Sequence, residues 1–224
     1  MCAVRSLPLA LTARLAPVVV LATAGWALAA GPLAAPVAAE KKPAASDDRA
    51  SPSAPATAAT AAARRTYRDS PAPCEGVARR TVASLVPGAE AAGKELPSTD
   101  ESLRRTCSWN ALKGFDYRWL DISYEIKKSD EAAQAAYEQR TAEKSGGGAV
   151  PGIGDDAYSV VNLTTADKQQ TREGTVIVRA SNALVVVTYD GSDFETRKAP
   201  GTDEINKGAL RAAEEGVAAL EAAR

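Results

Sequence analysis

Few side chains in this sequence are able to do chemistry. There is no histidine, which removes the usual general base, the Ser-His-Asp and Cys-His pairs, and every histidine-ligated metal site. What remains is a cysteine pair, Cys74 and Cys107, a glycine-rich loop ending in Asp155 and Asp156, further carboxylates such as Asp121 and Glu125, and the aromatic residues Trp109, Trp119 and Tyr124. Each of these sets implies a different chemistry.

The loop "SGGGAVPGIGDDAY", Ser145 to Tyr158, has the glycines of a phosphate cradle. A phosphate loop, however, opens a helix and carries a lysine after the glycines. Here a β-prone run follows, and two aspartates would repel the anion. Calcium asks for six to eight oxygens from alternating acidic positions, whereas adjacent aspartates at the start of a strand point to opposite faces; at most one would serve, helped by Asp190 or Asp193. The loop therefore reads as a bend: Gly152 and Gly154 supply unusual φ, Pro151 stiffens the approach, and Ile153 plugs into the core. An aspartate there accepts nearby backbone N–H groups.

A flat exposed ring also stacks on a sugar. Trp109 and Tyr124 fall on apolar stretches and read as core, whereas Trp119 alternates with polar partners. Trp119, Asp155 and Asp156 are accordingly the candidate ligand-lining residues. No metal site and no cofactor are expected.

Three segments position these residues. Residues 1–39 place Arg5 and Arg14 ahead of a long uncharged run, the order of a signal peptide with small residues before a cut after Ala29 or Ala39. The run is also long enough for a retained membrane anchor, and either reading sends the remainder outward. Residues 40–69, rich in Ala, Pro, Ser and Thr, form a disordered linker. Residues 70–224 form the folded domain. Lys and Arg number 27 against 28 Asp and Glu, so no electrostatic footprint for nucleic acid is present.

Within the domain, Cys74 to Val86 reads as an amphipathic helix stopped by Pro87–Gly88. "TCSWNAL" and "DYRWLDISYEIKK" read as two strands, with Leu120, Ile122, Tyr124 and Ile126 on one face. "SDEAAQAAYEQRTAEK" is a helix with Ser129 as N-cap. "AYSVVNL", a polar excursion "TTADKQQTREG", "TVIVRA" and "ALVVVTY" follow, the last two joined at Ser181–Asn182 in a tight hairpin with Asn182 taking positive φ. A terminal helix with Thr202 as N-cap puts Ile205, Ala209, Ala212, Val217 and Leu220 near one stripe. The order predicts an α+β domain: an antiparallel sheet of about five strands covered on one face by helices.

Of the three cysteines, Cys2 falls in the expected targeting segment, and outside the cytoplasm the remaining pair in a small domain is a structural disulfide. Closing the Cys74–Cys107 loop is worth roughly 3–4 kcal/mol in the chain-entropy treatment.

The exported N-terminus, "PC" at Pro73–Cys74, "CSW" at Cys107–Trp109 and "PGIGDDAY" at Pro151–Tyr158 together resemble an actinobacterial family of secreted proteins and lipoproteins, the domain of unknown function numbered thirty-five fifty-eight, over about residues 70–222. The chain lacks that family's lipobox. The resemblance implies an extracytoplasmic α+β domain with one disulfide and brings no established activity.

The function expected from these residues is non-enzymatic: a secreted or cell-envelope binding or accessory domain whose partner is an envelope protein, a glycan or a small ligand, with membrane contact only through an uncleaved N-terminus. Two alternatives stand beside it. One is a membrane-anchored sensory or accessory domain. The other is a hydrolase of envelope glycans using Asp155 with Glu125 or Asp121, since paired acids need no histidine.

Overall fold

A computed structural model describes residues 65–224. The expected signal or anchor, and the linker up to residue 64, lie outside the described residues. After a 3-10 turn at Pro73–Glu75 come α1 (Arg79–Leu85), β1 (Lys94–Leu96), β2 (Arg104–Lys113), β3 (Asp116–Ile126), α2 (Asp130–Ala142), β4 (Gly148–Ala149), β5 (Asp156–Ala166), β6 (Gln169–Ala180), β7 (Ala183–Asp193) and α3 (Thr202–Ala222). The strands form one antiparallel sheet in the order β1-β2-β3-β7-β6-β5-β4.

The α+β class is as expected, with seven strands rather than about five. The two additional strands, β1 and β4, span three and two residues, too short for alternation to show. Beyond them, the polar excursion is not a loop. β5 and β6 run through it to a two-residue turn, where Asp167 and Lys168 take φ of 50° and 68°. Such a turn matches the strand twist, and the polar residues are tolerated because this end of the hairpin is half-exposed.

Side-chain alternation divides the sheet into two unlike faces. On the first, Leu120, Ile122 and Tyr124 of β3 and Val185, Val187 and Tyr189 of β7 are buried beneath α1 and α3. The Tyr124 hydroxyl donates to the Gly216 carbonyl at 3.1 Å and the Tyr189 hydroxyl to Leu85 at 2.7 Å. α3 settles this close because Gly216 carries no side chain: a Cβ there would collide with Ile122. The predicted stripe of Ile205, Ala209, Ala212, Val217 and Leu220 is buried throughout, at roughly 1.5–3 kcal/mol for each large aliphatic side chain.

Four local expectations need correction. The Cys74–Val86 segment is broken: a 3-10 turn precedes α1, and an extended Ala78 separates the two. Gly201, not Thr202, caps α3. In the β6–β7 hairpin Ser181 takes the positive φ, 49°. Asn182 is fully buried instead, and its amide bonds the Tyr67 N–H (2.8 Å), the Tyr67 carbonyl (2.8 Å) and the Lys127 carbonyl (2.9 Å). This clamp brings Tyr67, 3% exposed, into the fold, so the packed chain starts before residue 70.

The Cys74–Cys107 disulfide is present, with the Cα atoms 5.1 Å apart. It fastens the 3-10 turn to β2 beneath the buried Trp109.

Candidate functional site

The second face of the sheet is only partly covered. α2 lies over one corner of it. Ser129 caps the helix by accepting from the Ala132 N–H at 3.2 Å, and at the far end Arg140 reaches Glu125 on β3 at 2.7 Å. Glu125 is 4% exposed and also takes Lys127 at 2.9 Å and Arg104 at 3.7 Å. Burial pushes its carboxyl up, and the hydrogen bonds from Lys127 and Arg140 outweigh that and hold it below the usual carboxylate range. A carboxylate so committed anchors α2 and is unavailable as a base.

Away from that corner, the register assembles polar rows across adjacent strands. Trp119 of β3 lies beside Asp190 of β7, and Asp190 beside Glu173 of β6. The next row holds Asp121, Thr188 and Thr175. Two separate shallow grooves flank these rows. One, about 540 Å³, lies between the Leu96–Arg104 segment and Asp121. The other, about 390 Å³, lies between the end of α2 and Glu173, Thr175 and Thr188.

Trp119 is 37% exposed. Its indole N–H donates to Asp121 Oδ1 at 2.7 Å, and its ring meets Tyr117 edge-on, centroids 6.4 Å apart. Tyr117 in turn lies 6.0 Å from the exposed Phe194. Between Trp119 and Glu173, Asp190 Oδ1 is buried without a hydrogen-bond partner among the described residues. Burial, then the negative charges of Glu173 and Asp121, push its carboxyl up from 3.8 to about 7. Glu173 is steadied by the Thr175 hydroxyl at 3.1 Å. At neutral pH this floor therefore combines a carboxyl able to donate a proton, two carboxylate acceptors and an aromatic ring. That set suits hydroxyl-rich or cationic ligands. Among the described residues no group of three or more Cys, Asp or Glu is arranged to hold a metal ion.

Trp119 thus stands in the open face, whereas Asp155 and Asp156 stand elsewhere. Asp156 shares a row with Arg179, Leu184 and Glu125, about 20 Å along the strands from Trp119 and three strands, about 14 Å, across. Asp155 accepts from the Ser181 N–H at 2.6 Å and from Arg179 at 3.0 Å; Asp156 accepts from Arg179 at 2.8 Å. Gly152 and Gly154 take φ of 85° and 60°, and Ile153 is buried. The loop is a bend pinned to β6, and neither aspartate shares a cavity with Trp119. Asp155 stands about 17 Å along the strands and the same three strands across from Asp121.

Asp190 and Glu173 are the residues that sequence reasoning missed. Spacing along the chain offers Asp190 only as a helper for calcium. The available signal was its place in "ALVVVTYD", where alternation puts it on the face of Val186 and Thr188, an acid continuing a largely apolar strand.

Among the described residues no helix is long and apolar enough to cross a membrane. No protein-family profile matches the chain, and no curated protein matches it. Solved structures give distant likenesses. A protein from Bacteroides thetaiotaomicron has a TM-score of 0.33 at 11% identity, over 53% of this chain and 47% of that one. The extracellular domain of PknH from Mycobacterium tuberculosis has a TM-score of 0.27 at 10% identity, over 50% of this chain and 63% of that one. TTHA0849 from Thermus thermophilus has a TM-score of 0.21 at 12% identity, over 71% and 97%. The chain therefore spans about half to two thirds of the length of the first two.

Proposed function

We propose that the protein is an extracytoplasmic binding or accessory domain, secreted or tethered outside the cytoplasmic membrane, that takes an envelope glycan or small polar ligand on the uncovered part of its second sheet face. The observation carrying this reading is Asp190, with its unpartnered oxygen between the half-exposed Trp119 and Glu173. Desolvating a carboxyl beside two others costs folding energy, and a ligand supplying donors to the exposed part of the Asp190 carboxyl offsets it. The extracytoplasmic setting is supported by the Cys74–Cys107 disulfide and by the basic-then-apolar N-terminus. Membership of the actinobacterial family that the chain resembles belongs to the same proposal.

Thermal-shift titration with soluble cell-wall glycan fragments and simple amines tests it. The wild type should gain stability with a bound fragment and Trp119→Ala should lose that gain while melting normally alone. Equal shifts in both proteins would reject the site. Mass spectrometry of the mature N-terminus separates the secreted form from an anchored sensory or accessory form.

A carboxylate-dependent glycan hydrolase is the second reading, favoured by the Asp190 carboxyl, pushed up to about 7 by burial and by the neighbouring Glu173 and Asp121. It requires turnover of a glycan that disappears in Asp190→Asn; no turnover by the wild type ends it.

A further inference from the structure

Along the rest of the second face acids meet cations: Glu125 takes Arg140 and Lys127, and Asp155 and Asp156 take Arg179. In the groove of about 390 Å³ at the end of α2 the two signs stand apart. Glu173 forms one end. Its side-chain partner is the Thr175 hydroxyl, and across the β6–β7 register it faces a second acid, Asp190, an arrangement in which like charges repel. Lys144 and Arg140 form the other end. Lys144 pairs with no carboxylate among the described residues, and Arg140 commits only Nη2, which reaches both Glu125 oxygens.

The basic end is fixed by the fold. The Tyr158 hydroxyl donates to the Lys144 carbonyl at 3.2 Å, and Tyr158 is the cross-strand partner of Ile177. The carbonyls near the end of α2 would disfavour an anion, but four of them are occupied. The Thr141 hydroxyl donates to Tyr137 and Glu138, and the Glu143 and Lys144 N–H groups donate to Gln139 and Thr141. Glu143, the exposed acid at this end, accepts from Gln139 at 3.4 Å.

We propose that this groove holds a short peptide of two to three residues with both termini free, its ammonium on Glu173 and its carboxylate on Lys144 and Arg140. The inference rests on the binding reading above and names the class of ligand. Length follows from the register. Glu173 and Ile177 stand four residues apart on β6, about 13 Å. Allowing about 3 Å for a hydrogen bond at each end leaves about 7 Å between the charges of the occupant, the span of two to three extended residues at about 3.3–3.6 Å each. Thr188 and Val186, both half-buried, lie under its middle.

Amide NMR titration of the purified full chain with trialanine, trialaninamide, N-acetyltrialanine and alanine tests the proposal. Trialanine should give saturable shifts at Thr175, Ile177 and Thr188. The amide and the N-acetyl form each lose one charge-assisted contact and should bind about ten-fold more weakly; alanine, too short to reach both ends, should be as weak. Lys144→Gln should narrow the gap between trialanine and its amide alone, and Glu173→Gln the gap between trialanine and its N-acetyl form alone. Equal affinity for all four ligands, preferences that neither substitution alters, or no shifts in the groove overturns the proposal. Cell-wall glycan fragments added to the same samples separate the failures. If they still move the Trp119 indole N–H, only the peptide assignment falls; if they too are silent, the wider binding reading falls with it.

Discussion

Replacing Asp190 with asparagine should make the domain less sensitive to pH. A carboxyl whose folded pKa is raised contributes stability that is complete below its unfolded value and is lost as pH rises through the folded value. For Asp190 the window therefore runs from 3.8 to about 7. At 1.36 kcal/mol per pH unit the whole window corresponds to ~4 kcal/mol, and the part above pH 5 to ~3 kcal/mol. Asp190 keeps some solvent contact, and screening reduces the second figure to ~1.5 kcal/mol. Between pH 5 and 8 the carboxylates with lowered values, Glu95, Glu125 and Asp193, stay ionised and contribute no slope. The assay is urea unfolding of wild type and Asp190→Asn at both pH values. The variant should gain ~1.5 kcal/mol on the wild type between pH 5 and pH 8, or ~3–6 °C in Tm for a domain of this size. Equal differences at the two pH values would refute the desolvated-carboxyl account of the open face.

Other consequences follow from the same geometry. Converting both Cys74 and Cys107 to alanine should lower the unfolding free energy by roughly 3–4 kcal/mol in urea titration. Asn182→Ala strips the Tyr67 N–H and carbonyl of their buried partners, so a loss of ~2–3 kcal/mol is expected, together with faster proteolysis near residue 67. Glu125→Gln should cost ~2 kcal/mol, because the half-exposed Arg140 and Lys127 lose their charge-assisted hydrogen bonds to the shared carboxylate; amide hydrogen exchange in α2 should rise more than in α3.

The sheet and its apolar face were largely legible in the sequence because strong periodicity repeats over long elements. Leu120, Ile122 and Tyr124 alternate cleanly, and the α3 stripe recurs over a 21-residue helix. Local chemistry that depends on distant partners was not legible. Asn182 looks like a turn residue until Tyr67, 115 positions earlier, appears beside it. Asp155 and Asp156 look like ligands until Arg179 and Ser181 occupy their oxygens. The placement of α2 on the second face depends on the Arg140–Glu125 pair, which no period reveals. Asp190 and Glu173 become neighbours only through the β6–β7 register, so the open face could not be assembled from spacing along the chain.

An amide and indole NMR titration of the domain with cell-wall glycan fragments addresses the binding face itself. Saturable shifts at the Trp119 indole N–H and at Asp121, Glu173 and Asp190, with α3 silent, are the predicted outcome. Shifts centred on Asp155 and Asp156, or none at any fragment, would contradict it.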